Sequence, residues 1–90
     1  VIFGHIGNNH LHVNIMPRDA RELERARELY RSFAVKAVEL GGTVAAEHGI
    51  GKLKRAALAA MFGAEGVRQM RAVKRALDPD GILGPGTLFE

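Results

Sequence analysis

The chain contains no cysteine. Disulfides are thereby excluded, and so is any metal site built on thiolates. Such a composition fits a cytoplasmic protein. No apolar run approaches the roughly 20 residues that a membrane span requires. Val1-Ile2-Phe3 lacks a basic flank and is broken at once by Gly4-His5, so it does not read as a secretory leader. A large charge of either sign is also missing: 13 Lys and Arg stand against 10 Asp and Glu, a net +3. Aromatics make up only 6 % of the residues, and none is interleaved with a basic run, so nucleic-acid binding is not expected. Internal repeats and low-complexity segments are absent. The 90 residues are expected to form one domain, 1–90. A chain this short buries only about 60–65 % of its unfolded surface, so its stability is expected to depend on a partner. Val1 opens in mid-pattern, as though the chain were cut from something larger.

What is present has the rhythm of an α+β domain. Residues 1–6 and 10–16 read as strands. Residues 18–40 read as a helix, with Asp19 as N-cap and Glu22 closing a capping box. Apolar residues recur at Leu23, Ala26, Tyr30, Phe33, Ala34, Ala37 and Val38, which is one helical face. Gly41-Gly42 ends it. Thr43-Val44-Ala45 is a short extended piece, and His48-Gly49-Ile50-Gly51 a loop. A helix over 53–61, a break at Gly63 and a further helix over 64–77 follow. Asp78-Pro79-Asp80-Gly81 is a turn, and the tail from Ile82 onward has no regular period. The expected fold is an antiparallel hairpin or sheet packed against about three helices.

The densest chemistry lies in GHIGNNHLHVN, residues 4–14, which holds three of the four histidines. Asn8-Asn9 suit a two-residue type I′ turn, because asparagine tolerates the positive φ that both positions need. That turn pairs Gly7 with His10, Ile6 with Leu11 and His5 with His12. Alternation then puts His5, Gly7, His10, His12 and Asn14 on one face. Ile2, Ile6, Leu11, Val13 and Ile15 fall on the other, which is free to pack on the helices. A longer loop still leaves His5 near His12. Paired imidazoles suit a divalent transition metal. A catalytic site commonly adds a carboxylate and keeps one position open. Glu47, among small residues and glycines, is the candidate, and the adjacent His48 is placed to exchange a proton.

These residues also have plainer readings. A His-x-His pair on a strand is often a surface or hydrogen-bonded feature. Glu47 alternatively belongs to the N-cap region of the next helix, and His48 to a bond with a loop carbonyl. Gly49-Ile50-Gly51-Lys52 lacks the glycine spacing and the Lys-Ser/Thr of a phosphate loop. Lys52, Lys54 and Arg55 either draw an anion towards a helix N-terminus or form a solvated basic face, the second reading being favoured for at least two of them.

Three stretches together resemble the C-terminal end of FAD-linked oxidases, the flavoprotein superfamily of D-lactate dehydrogenases, glycolate oxidase subunits and D-2-hydroxyglutarate dehydrogenase. They are GHIGNNHLHVNI at 4–15, GGTVAAEHGIGKLKR at 41–55 and VKRALDPDGILGPGTLF at 73–89. The resemblance implies a partial cap domain that supplies the substrate site, with FAD bound by another domain. It implies His5, His12 and Glu47 as ligands of a divalent metal, zinc, iron or manganese. It makes His48 the base and places Asn14 beside the substrate. The implied reaction is oxidation of a D-2-hydroxy acid, with electrons passing on to a separate acceptor.

The sequence departs from the family's usual motifs in two places. Asn8-Asn9-His10 stands where Asp-Gly-Asn is usual, adding an imidazole on the site face that competes as a ligand. Gly84-Pro85-Gly86-Thr87 stands where Asn-Pro-Gly-Lys is usual, which removes a positive charge. By itself the chain is expected to be inactive and to self-associate through uncovered sheet edge and apolar surface. The location expected is cytoplasmic, or peripheral to a membrane through the electron acceptor. The rival reading is a stand-alone metal-binding or dimerisation module without redox activity.

Overall fold

The computed structural model describes residues 1–89. The element order is β1 (Ile2–His5), a single 3₁₀ turn (Ile6–Asn8), β2 (His10–Val13), α1 (Ala20–Glu39) and α2 (Arg55–Leu77). This is an α+β arrangement. The chain divides into two compact units, one over Val1–Phe33 and one from Ala34 onward.

In the first unit, β1 and β2 pair antiparallel as a two-stranded sheet. The backbone of Asn14 extends the ladder, its N–H donating to the Val1 carbonyl at 2.8 Å. The N-terminus of α1 is fixed as its sequence predicts. Glu22 N–H donates to Asp19 Oδ1 at 2.8 Å, and the Glu22 carboxylate accepts from Arg18 N–H at 2.8 Å. The returning bond reaches the residue before the cap, not the cap itself. The Tyr30 hydroxyl donates to the Val13 carbonyl, which ties α1 to the hairpin.

In the second unit, α1 ends in a two-bond cap. Gly42 N–H donates to the Ala37 carbonyl at 2.7 Å, and Gly41 N–H to that of Val38 at 3.0 Å. Thr43–Ala45 is not extended as expected. Thr43 Oγ1 accepts from Ala45 N–H at 3.3 Å, a local turn that competes with strand geometry. The helix expected at 53 begins at Arg55, after Lys54 as N-cap. It is interrupted at Gly63, whose φ of 69° and ψ of 174° no helix contains. Two helical segments therefore flank that residue, as the sequence implies, and with α1 they make three. Asp78 closes the second segment. Its carboxylate accepts from Lys74 Nζ, and the N–H groups of Ile82 and Leu83 each donate to it at 3.0 Å. The tail returns to the start of α2: Leu88 N–H donates to the Gly51 carbonyl at 2.9 Å, and Arg55 donates to that of Gly86 at 3.3 Å.

Burial is slight. Leu58 is the one buried apolar residue among those described, and Asp78 the one buried polar residue. Ile2 and Leu11 share the face opposite the histidines, and each is 68 % exposed. On the same face Val13 and Ile15 are half-buried. No helix among the described residues is long and apolar enough to cross a membrane.

Candidate functional site

The hairpin differs from the expected two-residue turn. Ile6–Asn8 form a 3₁₀ turn and Asn9 alone adopts the left-handed conformation, at φ 55°. The loop is thus four residues long, and the register moves by two. Ile2 opposes Val13, Phe3 opposes His12, Gly4 opposes Leu11 and His5 opposes His10. Ile6, expected on the apolar face, lies in the turn and is exposed. A shift of two preserves side-chain parity, so the histidines remain on one face.

That face is compact. The ring centroids of His5 and His10 are 5.3 Å apart, those of His10 and His12 4.6 Å, and those of His5 and His12 5.9 Å. Each ring offers a ligand nitrogen, and these nitrogens lie within 4.8 Å of one another. Phe3 stacks on His12 at 4.8 Å with the planes 9° apart, which limits rotation of that imidazole. His10 and His12 are half-buried and His5 is exposed.

Gly4 makes the approach possible. A Cβ there would sit 2.1 Å from the His10 carbonyl oxygen. Any side chain at this position would push β1 from β2 directly beside the His5–His10 pair. Gly4 carries no functional group that would mark it in the sequence. Its position next to a strand histidine was the available signal, since glycine inside a strand often marks close backbone approach.

Asn14 lies at the open end of the hairpin. Its carbonyl accepts from the Val1 amino group at 2.9 Å, and its strand position shares the parity of His10 and His12.

Glu47 and His48 lie in the irregular segment of the second unit. His48 Nε2 is 3.2 Å from Glu47 Oε1. Glu47 is not part of a helix cap, because the N-cap of α2 is Lys54, seven positions on. Two of the three basic residues beside it are structural and not simply solvated. Lys54 Nζ donates to the Val44 carbonyl at 3.5 Å, and Arg55 to that of Gly86.

The structure thus joins His5, His10 and His12 within one unit and Glu47 with His48 within the other. Imidazole nitrogens with a carboxylate oxygen are donors that zinc, iron or manganese accept, so the chemistry of these groups fits a divalent metal.

The family described as FAD linked oxidases, C-terminal domain, matches residues 1–88. The chain is similar to glycolate oxidase subunit GlcD of Bacillus subtilis, with 40 % identity over 89 residues, 97 % of this chain and 19 % of that protein. It is similar to D-2-hydroxyglutarate dehydrogenase of Xanthomonas citri pv. viticola, with 37 % identity over 100 % of this chain and 20 % of that protein. A probable mitochondrial D-lactate dehydrogenase of Danio rerio is 35 % identical over 99 % of this chain and 18 % of its own length. The chain therefore spans about a fifth of the length of the curated relatives it matches. A match over residues 1–88 places it plainly: the chain belongs to the family of C-terminal domains of FAD-linked oxidases.

Proposed function

We propose that the chain is the substrate- and metal-site portion of a flavin-dependent oxidoreductase acting on a D-2-hydroxy acid. One observation carries the reading. The relatives it matches end to end are named for glycolate, 2-hydroxyglutarate and lactate, three acids that share a hydroxyl beside a carboxylate. FAD is assigned to the part of such a protein beyond this chain. By itself the chain is inactive in this reading.

His5, His12 and Glu47 hold the divalent metal. When bound, the metal supplies Lewis acidity to the substrate oxygens and the flavin supplies a hydride acceptor. The chain's own residues do the rest. Glu47 Oε1 faces His48 Nε2 at 3.2 Å, so the carboxylate that would serve the metal also orients the imidazole. His48, held beside Glu47, takes the hydroxyl proton. The Glu47 carboxylate then stabilises the imidazolium. Asn14 hydrogen-bonds the substrate and fixes which face of its Cα is presented.

The test uses the flavoprotein that carries this chain, supplied with D-lactate, glycolate and D-2-hydroxyglutarate and an artificial electron acceptor. His48→Asn is expected to lower kcat by about 10²–10⁴, the usual contribution of a positioned acid or base, with flavin content unchanged. Glu47→Gln is expected to lower bound metal as well. Full activity in His48→Asn would remove the proposed base, and no turnover of any of the three acids by the wild type would remove the substrate class.

A further inference from the structure

We infer that His10 is a third imidazole ligand, so that the hairpin by itself carries a three-histidine site for a divalent transition metal. The inference rests on the reading of His5 and His12 as ligands. It adds a residue where the resemblance implied none, and it requires only groups within one unit.

The register carries the argument. His5 and His10 are directly opposed across the strands, and His12 follows His10 on the same face. Three rings therefore form a triangle with sides of 4.6, 5.3 and 5.9 Å between centroids. A metal with nitrogen ligands at about 2.0–2.1 Å in tetrahedral array needs those nitrogens about 3.4 Å apart. The ligand nitrogens lie within 4.8 Å of one another. With the His12 ring held by its stack on Phe3, rotations about the side-chain torsions of His5 and His10 close that difference without moving the backbone. The backbone is well set for this, since the strand pair is clamped at Gly4 and turned at Asn9.

The chemistry follows from the donor count. Two imidazoles and one carboxylate make a mixed set that hard and borderline ions share. A third imidazole makes the set richer in nitrogen. Nitrogen donors favour zinc, nickel and copper over manganese. It also makes retention of metal less dependent on Glu47, whose Oε1 is directed at His48. Three imidazoles leave one tetrahedral position for a carboxylate, a water or a substrate oxygen.

Cobalt(II) and zinc titrations of the full chain test this, because the visible absorption of cobalt reports ligand type and coordination number. The variants are His10→Asn, His5→Asn and Glu47→Gln. His10→Asn is expected to weaken zinc binding by at least about 100-fold, a loss that even outer-shell changes can reach, and to alter the cobalt spectrum. Glu47→Gln is expected to retain measurable binding. Zinc-dependent shifts of the His10 ring signals in the wild-type chain give a readout that needs no variant to fold. His10→Asn binding like the wild type, with unshifted His10 signals, while His5→Asn loses metal would overturn the role of His10 and leave the metal reading intact. No cobalt or zinc bound by the wild-type chain, or unchanged binding in both histidine variants, would overturn both.

Discussion

His5 lies directly across the hairpin from His10, with the Gly4–Leu11 pair next along the ladder. The closeness of the two imidazoles depends on a residue that carries no functional group. A Cβ on Gly4 would fall 2.1 Å from the His10 carbonyl oxygen, a backbone atom that cannot rotate away. Gly4→Ala must therefore spread the strands or slip their register. A slip of one residue between the strands would turn His5 to the face opposite His10 and His12. The expected outcome is loss of zinc binding on the scale of removing a ligand, although every ligand is retained. Isothermal titration with zinc checks it, beside the strand amide shifts. Wild-type affinity in Gly4→Ala would mean that the strands are not held at this spacing when metal is bound.

The face was legible in the sequence and the register was not. Strand alternation sorts His5, His10 and His12 together whether the loop has two residues or four, because parity is conserved when the pairing moves by two. The loop itself is a contest between two local geometries. Asn8-Asn9 would fit a type I′ turn, yet only Asn9 takes positive φ, while Ile6–Asn8 wind into a 3₁₀ turn. Propensity does not rank these options without the rest of the sheet. The helix ends were legible because their signals are local: the Asp19–Glu22 cap and Gly41-Gly42 each satisfy backbone groups within a few residues. The roles of Lys54 and Arg55 were not, because each reaches a carbonyl 10 or 31 positions away. Nothing in a local pattern announces such a bond.

Gly63 interrupts α2 with φ 69° and ψ 174°. An added Cβ would have no neighbour within 4 Å, so space is not the constraint there. The conformation is, since that region of backbone space is essentially reserved for glycine. Gly63→Ala is expected to cost about 1–3 kcal/mol, read as a lower urea midpoint with an unchanged slope. A gain in helical circular dichroism together with a higher midpoint would show that the two segments prefer to merge.

Asp78 sets a pH dependence whose sign can be worked out. The hydrogen bond from Lys74 lowers its carboxyl below the ordinary 3.8, burial acts the other way, and the N–H groups of Leu83 and Ile82 lower it further. The folded-state value is therefore the depressed one. Its stabilisation is fully present above the unfolded-state value and is lost as pH falls through the folded one. Asp78→Asn is expected to be less stable than the wild type near neutral pH. The gap should shrink as pH falls below the ordinary carboxyl value of 3.8 and through the depressed folded-state one. Urea midpoints of both proteins across that range test it. A gap that stays constant would assign the loss to altered hydrogen-bond geometry and not to charge.

Ile2 and Leu11 lie on one face of a two-stranded sheet, each 68 % exposed, while Leu58 is the one buried apolar residue described. A sheet of two strands leaves both outer edges without a ladder partner among the described residues, and such edges invite another strand. In a larger flavoprotein that surface would be covered by the rest of the fold. In the chain alone, a second copy is the available cover, since burying apolar area gains about 25 cal/mol per Å². The 90-residue chain is expected to sediment as a dimer or larger. Ile2→Thr with Leu11→Thr keeps β-branched or polar residues suited to a strand and removes apolar area from one face only. This double variant is expected to shift the chain towards monomer while leaving zinc binding in place, because the histidines occupy the other face. Monomeric wild-type chain would show that the open edges and this face do not drive association. Association that persists unchanged in the double variant would move the contact away from this face, to the strand edges or to the exposed apolar residues of α1.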